Sequence, residues 1–370
     1  METNLVQNQT ANKWSWKSIK RNPLLLPITA LLIMLIFNAI VVPNFFKISI
    51  QNGVLYGYII DILNRSCELI IMAVGMTLVV AASRGTDISV GAVAAVSAAI
   101  IVRLLGSSYD AYAMAPWLAI VIGLLAGALC GAFNGFLVAG LNIQPMIATL
   151  ILFTAGRGIA QLISAREIND VMVPGQILYV RMESFKQIGG FIPGVVVPTP
   201  VFITIIFILI TVLVLKKTAL KTYIETVGIN PKAGRLVGIK SSLIIFFTYV
   251  FCGFASGLSG LIASSRIYSS DANNIGLNME LDAILAVALG GNSLCGGKFN
   301  LTGSIIGAIT IQALTTSLYA LGVSADQLPV YKAVVVILIV ALQSPEFKRW
   351  YAEVKLHQQN KKAKLAEVSK

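Results

Sequence analysis

The 370 residues are 56% hydrophobic and only 12% charged, with 31 glycines among them, whereas soluble domains carry about 25% charged residues. So little polar surface excludes an ordinary soluble enzyme, and so much apolar content excludes a disordered tail. The net charge of +12 is unevenly spread: 17 of the 28 Lys and Arg fall in the first 22 residues, in 216–240 and in the tail from Ser344 onward. Basic clusters at the ends of apolar segments orient helices relative to the cytoplasm. No aromatic-plus-basic pattern accompanies them, so no nucleic-acid partner is expected.

Lys13, Lys17, Lys20 and Arg21 precede an apolar run, Leu24 to Val42, too long for the ~7–15 residues of a signal-peptide core and long enough to span. Apolar segments at 24–43, 67–83, 89–105, 116–140, 146–165, 199–215, 241–262, 281–295, 303–322 and 330–343 predict an all-α, polytopic membrane bundle of about ten transmembrane helices. The two shortest, 281–295 and 330–343, extend into their flanks or are broken. Segment 44–66, with Lys47, Asp61 and Arg65, reads as interfacial rather than crossing. A basic N-tail (1–23) on the inside, six spans to Lys216-Lys217 and four more to Lys348-Arg349 place both termini in the cytoplasm. The transmembrane domain is then 24–343, with a cytoplasmic loop at 216–240 and a basic tail at 344–370.

Gly123, Gly127, Gly131 and Gly135 recur every four residues, and Gly253/Gly257 and Gly303/Gly307 repeat the spacing. Such bare stripes let helix backbones approach closely. Two glycine-rich breaks interrupt the spans, at 83–91 and 290–299. In the second, Gly297-Lys298 resembles the end of a phosphate loop, but Asn292 and Phe299 stand where that pattern needs Gly and Ser or Thr.

Asp87 either caps the third span or has a direct substrate or gating role. Ionisable Glu68, Arg103, Arg157, Asp282 and Lys332 lie in or near spans, where charge is costly. The amide residues Asn134, Gln144, Asn274 and Gln312 either bind sugar hydroxyls or bond to each other across helices. No Ser/His/Asp set, HExxH or paired carboxylates suit catalysis, so no enzyme is expected. Cys67, Cys130, Cys252 and Cys295 read as packing residues, and the lone His357 lies in the polar tail.

In the loop 216–240, Asn230 reads as an N-cap, Pro231 as the first helical position and Gly238 as the stop. Ala233, Leu236 and Val237 share one face of a helix too short to stand alone. It is an ordinary connector or a helix that docks on a partner.

Gly75-Met76-Thr77-Leu78-Val79, Gly85-Thr86-Asp87-Ile88-Ser89-Val90-Gly91, Gly131-Ala132-Phe133-Asn134-Gly135, the 230–239 segment and Glu280-Leu281-Asp282 through Gly297 together resemble the permeases of bacterial ATP-binding-cassette (ABC) importers for monosaccharides, the ribose- and galactose-type family. Asp61 to Arg65, Lys217 to Leu220 and Asp271 to Asn274 are similar to its galactofuranose subgroup. Members carry Gly-Gly before the Asp; here Arg84-Gly85 and one extra residue stand there.

The resemblance implies a subunit of the bacterial inner membrane that binds no cofactor itself, ATP and Mg being handled by a separate ATPase. It implies an extracytoplasmic sugar-binding protein and a second permease, identical or related. Glu225, Gly228, Asn230, Pro231, Ala233, Arg235 and Gly238 would couple to the ATPase. Asp87, Asn134, Gln144, Asn274, Asp282 and Gln312 are the candidates for the pathway or its gates. An ion-driven secondary transporter or a channel is the competing expectation.

Overall fold

A computed structural model describes residues 24–51, 53–343 and 353. The tails 1–23 and, apart from Glu353, 344–370 lie outside the described residues. In chain order come α1 (Leu25–Val41), a hairpin of β1 (Ser49–Gln51) and β2 (Val54–Tyr56), α2 (Tyr58–Ser83), α3 (Val90–Leu105) and α4 (Pro116–Gly135), which continues as a π-helical turn, Phe136–Gly140. Then follow α5 (Pro145–Ile163), β3 (Arg166–Ile168), β4 (Val171–Val173), β5 (Leu178–Tyr179), α6 (Glu183–Gly189), α7 (Thr199–Lys217), α8 (Leu220–Ile229) and α9 (Pro231–Leu236). The chain continues with α10 (Ser241–Arg266), β6 (Ser269–Ser270), α11 (Met279–Leu289), α12 (Leu301–Ala320) and α13 (Leu328–Gln343). The protein is a helical bundle with three two-stranded antiparallel ladders at its edges.

Among the described residues, six helices are long and apolar enough to cross a membrane: α2, α4 with its π turn, α5, α7, α10 and α12. Their starts are set by local chemistry. Pro116, Pro145 and Pro200 occupy the first positions of α4, α5 and α7, where a missing N–H costs nothing and φ is already helical. Outward faces remain apolar, with Ile33, Leu129, Leu162 and Leu209 exposed. α2 is the exception, with almost every residue from Ser66 to Ala82 buried. It is the central post of the bundle.

The first turns of α2 correct one expectation. Residues 58–66 are helical and continuous with the next span, so α2 begins nine residues before the expected start at 67. Asp61 and Arg65 are one turn apart and pair at 2.7 Å, which neutralises the charges that made the stretch look unable to cross.

α4 and α10 form the tightest seam. A Cβ at Gly131 would run into the Tyr249 carbonyl, and one at Gly127 would lie 2.7 Å from the Gly253 carbonyl. The glycine stripe of α4 thus faces the Gly253/Gly257 pair of α10. Gly303 and Gly307 similarly admit the backbone of α11 at Gly290 and Ala286. In both places backbone meets backbone, as the four-residue glycine spacing predicts.

α3 and α11 are short because each begins inside the bundle. Their first turns touch: a Cβ on Gly91 would strike the Gly276 carbonyl and the Glu280 carboxylate. The connections that reach these buried starts, 84–89 and 267–278, are irregular backbone, tolerated at such depth only when enclosed by protein or lining a cavity. All four cysteines are free; Cys67 and Cys252 are buried as packing residues and Cys295 is exposed.

Candidate functional site

The described ion pairs gather at one place. Glu68 near the start of α2 meets Arg266 at the end of α10 at 3.3 Å, and Asp282 of α11 meets Lys332 of α13 at 2.8 Å. With Arg65, Asp271, Asn274, Gln312, Thr315 and Tyr319 they line a cavity of about 400 Å³. A second cavity of similar size adjoins it and shares Asn274, Asp282, Thr315, Tyr319 and Lys332. Both lie toward the end of the bundle opposite α8 and α9, and Gly276 and Met279 are among the residues that line the first.

The lining is polar but locally balanced. Asp271 accepts from the Asn273 backbone N–H at 2.9 Å and from the Asn274 side-chain amide at 2.6 Å. The Gln312 amide has one weak donation, to Thr316 at 3.3 Å, leaving its remaining donor and acceptor capacity toward the cavity. Three acids (Glu68, Asp271, Asp282) and three bases (Arg65, Arg266, Lys332) line it, so the cavity presents hydrogen-bonding groups without a large net charge. That surface suits an uncharged polyol better than an ion.

A second polar cluster lies at the start of α3, whose Gly91 packs on Gly276. Asp87 accepts from both the backbone N–H and the hydroxyl of Ser89, at 2.9 and 2.7 Å, and the Asn134 amide donates to the same hydroxyl at 2.8 Å. Asp87, Ser89 and Asn134 are all buried. The cluster joins the 84–89 connection to α4 and holds the start of α3. The expected capping by Asp87 is not present: Ser89 is the N-cap of α3 and makes no side-chain capping bond, and Asp87, two residues earlier, closes a side-chain turn on Ser89 instead. Arg157, for which the sequence offered no partner, donates to the carbonyls of Ala272 and Ile275 at 3.0 and 2.5 Å. It pins the irregular connection before α11 to α5.

The six expected pathway residues thus separate into three groups. Asn274, Asp282 and Gln312 line the first cavity. Asp87 and Asn134 stand in the cluster at the start of α3. Gln144 is exposed just before α5 and joins neither.

The opposite end carries the short helix. Asn230 accepts from the backbone N–H groups of Lys232 and Ala233 at 3.0 and 3.2 Å, the N-cap geometry read in the sequence. α9 then runs from Pro231 to Leu236, and Gly238 turns the chain back with φ +83°. Leu236 is 89% exposed and Val237 73%. Ala233 and Arg235 are exposed beside them and Glu225 is half-buried on α8. By contrast, Gly228 is buried against the end of α2, where a Cβ would strike the Ala81 carbonyl.

The family described as branched-chain amino acid transport system / permease component matches residues 58–342. The chain belongs to this permease family. The chain is similar to the galactofuranose transporter permease of Escherichia coli (strain K12), at 41% identity over 86% of this chain and 89% of that protein. It is 38% identical to the fructose import permease of Bifidobacterium longum (strain NCC 2705), over 89% of both chains. To the ribose import permease of Escherichia coli (strain K12) it is 35% identical, over 85% of this chain and 92% of that one. No solved structure matches.

The cavity also brings together residues that sequence reasoning did not group. Glu68 and Lys332 were visible as charges in spans, but their partners, Arg266 and Asp282, are remote in the chain and no local pattern pairs them. Arg65 and Tyr319 were not expected at the cavity at all. The spacing Asp61, Arg65, Glu68 on one helical face was the available signal.

Proposed function

We propose that this permease is the membrane-spanning component of an ABC importer that carries a monosaccharide into the cell. A separate ATPase binds at the α8–α9 end, and a sugar-binding protein delivers substrate to the opposite end. The observation that carries the ATP-driven reading is α9: a capped helix of six residues whose exposed Leu236 and Val237 need a partner surface. Glu225, Gly228, Asn230, Pro231, Ala233, Arg235 and Gly238 form or position that surface. This chain binds no cofactor; ATP and Mg belong to the partner.

Galactofuranose, fructose and ribose, named for the relatives, define the substrate class, and the charge-balanced cavity supports the same class. Galactofuranose or a related sugar is the specific substrate proposed. Asn274, Asp282 and Gln312 line its route; Asp87 and Asn134 act at a gate at the start of α3. The six long helices, with α1, α3, α11 and α13 as shorter or re-entrant crossings, make ten passes of the bacterial inner membrane with both termini cytoplasmic. A second permease, identical or related, completes the pathway.

Two experiments test this reading. Arg235→Glu and Ala233→Pro are expected to lower ATP-dependent sugar uptake by about 100-fold while leaving membrane insertion unchanged, the first by reversing charge on the docking face and the second by breaking the helix. Normal uptake by both variants removes α9 from the mechanism. Asn274→Leu and Gln312→Leu are expected to raise the apparent KM for uptake about three- to tenfold, the effect of one or two lost hydrogen bonds. Unchanged kinetics in both return these amides to helix packing. Uptake abolished by a proton ionophore while ATP is held constant would instead indicate an ion-driven transporter.

A further inference from the structure

Arg84 ends α2 in the left-handed backbone conformation, at φ +60°, which an L side chain adopts only at a cost. What it gains is a fork of two bonds to the far side of a joint. Its Nε donates to the Gly228 carbonyl at 2.6 Å, and its Nη2 donates to the Ile229 carbonyl. These are the last two carbonyls of α8, at the negative end of the helix, where no intrahelical donor reaches them. Asn230, the next residue, caps α9. The guanidinium therefore grips the hinge between α8 and α9.

The same joint collects the second glycine-rich break. The Gly297 N–H donates to the Ala81 carbonyl at 3.0 Å, and Gly296 leaves room for the stem of Arg84, whose Cγ would lie 2.8 Å from a Cβ there. On the other side of Arg84 the chain climbs through Gly85, Asp87 and Ser89 to Gly91, which abuts Gly276. Gly276 lines the cavity. A series of contacts thus connects the docking helix to the polar cavity: the Arg84 side chain to the α8–α9 joint, the backbone 84–91, and the packing of Gly91 on Gly276.

We infer that Arg84 is a coupling residue that locks the α8–α9 hinge to the 84–91 connection, so that movement of the docking helix displaces the cavity lining at Gly276. This rests on the ATP-driven reading above. It assigns to the chain's departure from the Gly-Gly pattern a mechanical task. Arg suits it because a planar fork bridges two adjacent carbonyls, whereas Lys offers one point of attachment. The displacement is a rigid-body one, with the gripped elements moving together.

The test is the number of sugar molecules transported per ATP hydrolysed, in proteoliposomes holding the complete importer and its binding protein, with radiolabelled galactofuranose, fructose and ribose tried in turn. For Arg84→Gln the ratio is expected to fall at least tenfold, while the ATPase stays bound and hydrolyses within about twofold of its usual rate. For Arg84→Lys the expected fall is about threefold. A ratio for Arg84→Gln within twofold of the unmodified complex overturns the inference. If Arg84→Gln does not assemble with the ATPase, Arg84→Lys decides: a lowered ratio supports the coupling role and an unchanged one overturns it. Absence of ATP-dependent uptake in the unmodified complex overturns the importer reading itself, and with it the coupling role. A merely structural Arg84 would lower assembly and hydrolysis together and leave the ratio intact.

Discussion

Gly131→Leu is expected to destroy the bundle. The seam between α4 and α10 runs backbone to backbone, and even a methyl at position 131 would meet the Tyr249 carbonyl. Ordinary overpacking of a core costs about 1–3 kcal/mol because neighbouring side chains can shift. Here the obstacle is main chain on a 26-residue helix, so the two helices must separate along their length, losing the close packing that substitutes for hydrophobic drive in lipid. Size-exclusion chromatography in mild detergent is expected to show loss of nearly all monodisperse protein. Gly131→Ala should be intermediate. Gly158→Leu is the matching control, because nothing lies within 4 Å of a Cβ there, and it should behave like the unmodified chain. Equal behaviour of the 131 and 158 variants would contradict the seam.

Lys332→Met should come next in severity. Lys332 and Asp282 are paired at 2.8 Å with side chains 18% and 17% exposed, so removing the ammonium strands a carboxylate in a largely buried site. Breaking such a pair costs about 3–5 kcal/mol. The double variant Lys332→Met, Asp282→Asn removes both charges and should recover most of that loss, since a neutral pair of similar volume leaves no orphan charge. Thermal unfolding in detergent is expected to place the single variant well below the double. A double variant as unstable as the single would mean that the ion pair is incidental to stability. Transport need not recover with stability, because Asp282 also lines the cavity.

The sequence was most informative where punctuation was strong. The expected span at 116–140 matches α4 with its π turn, opened by Pro116, and 199–215 matches α7 to within two residues. Asn230-Pro231 and Gly238 marked both ends of α9. The four-residue glycine spacing foretold the close seams, though not which helix lies against which. The start of α2 was missed because Asp61 and Arg65 are costly one at a time and inexpensive as a pair. Expected span 281–295 proved to be α11, ending at Leu289, since Gly290-Gly291 stops the helix.

Contacts between remote residues left no trace to read. Gly91 touches Gly276, Asp282 meets Lys332, and Arg84 reaches Gly228, each across a long stretch of chain. The cavity is made by exactly such encounters, so its residues appeared only as isolated polar groups in apolar spans. Asn274, Asp282 and Gln312 converge on it, whereas Gln144, chosen on the same grounds, is an exposed residue ahead of α5. Residue type alone does not separate the two cases, because an amide beside a helix start and an amide over a cavity look the same in one dimension.

The central claim is that this permease is driven by a separate ATPase seated on α9. Its most direct test is purification of the tagged chain from its native cell in gentle detergent, with mass spectrometry of everything bound. The expected result is an ATPase in stoichiometric amount, accompanied by a second permease subunit, and loss of the ATPase when Arg235→Glu is the bait. Recovery of the chain alone, reproducibly and in high yield, would contradict the account and make α9 a simple connector.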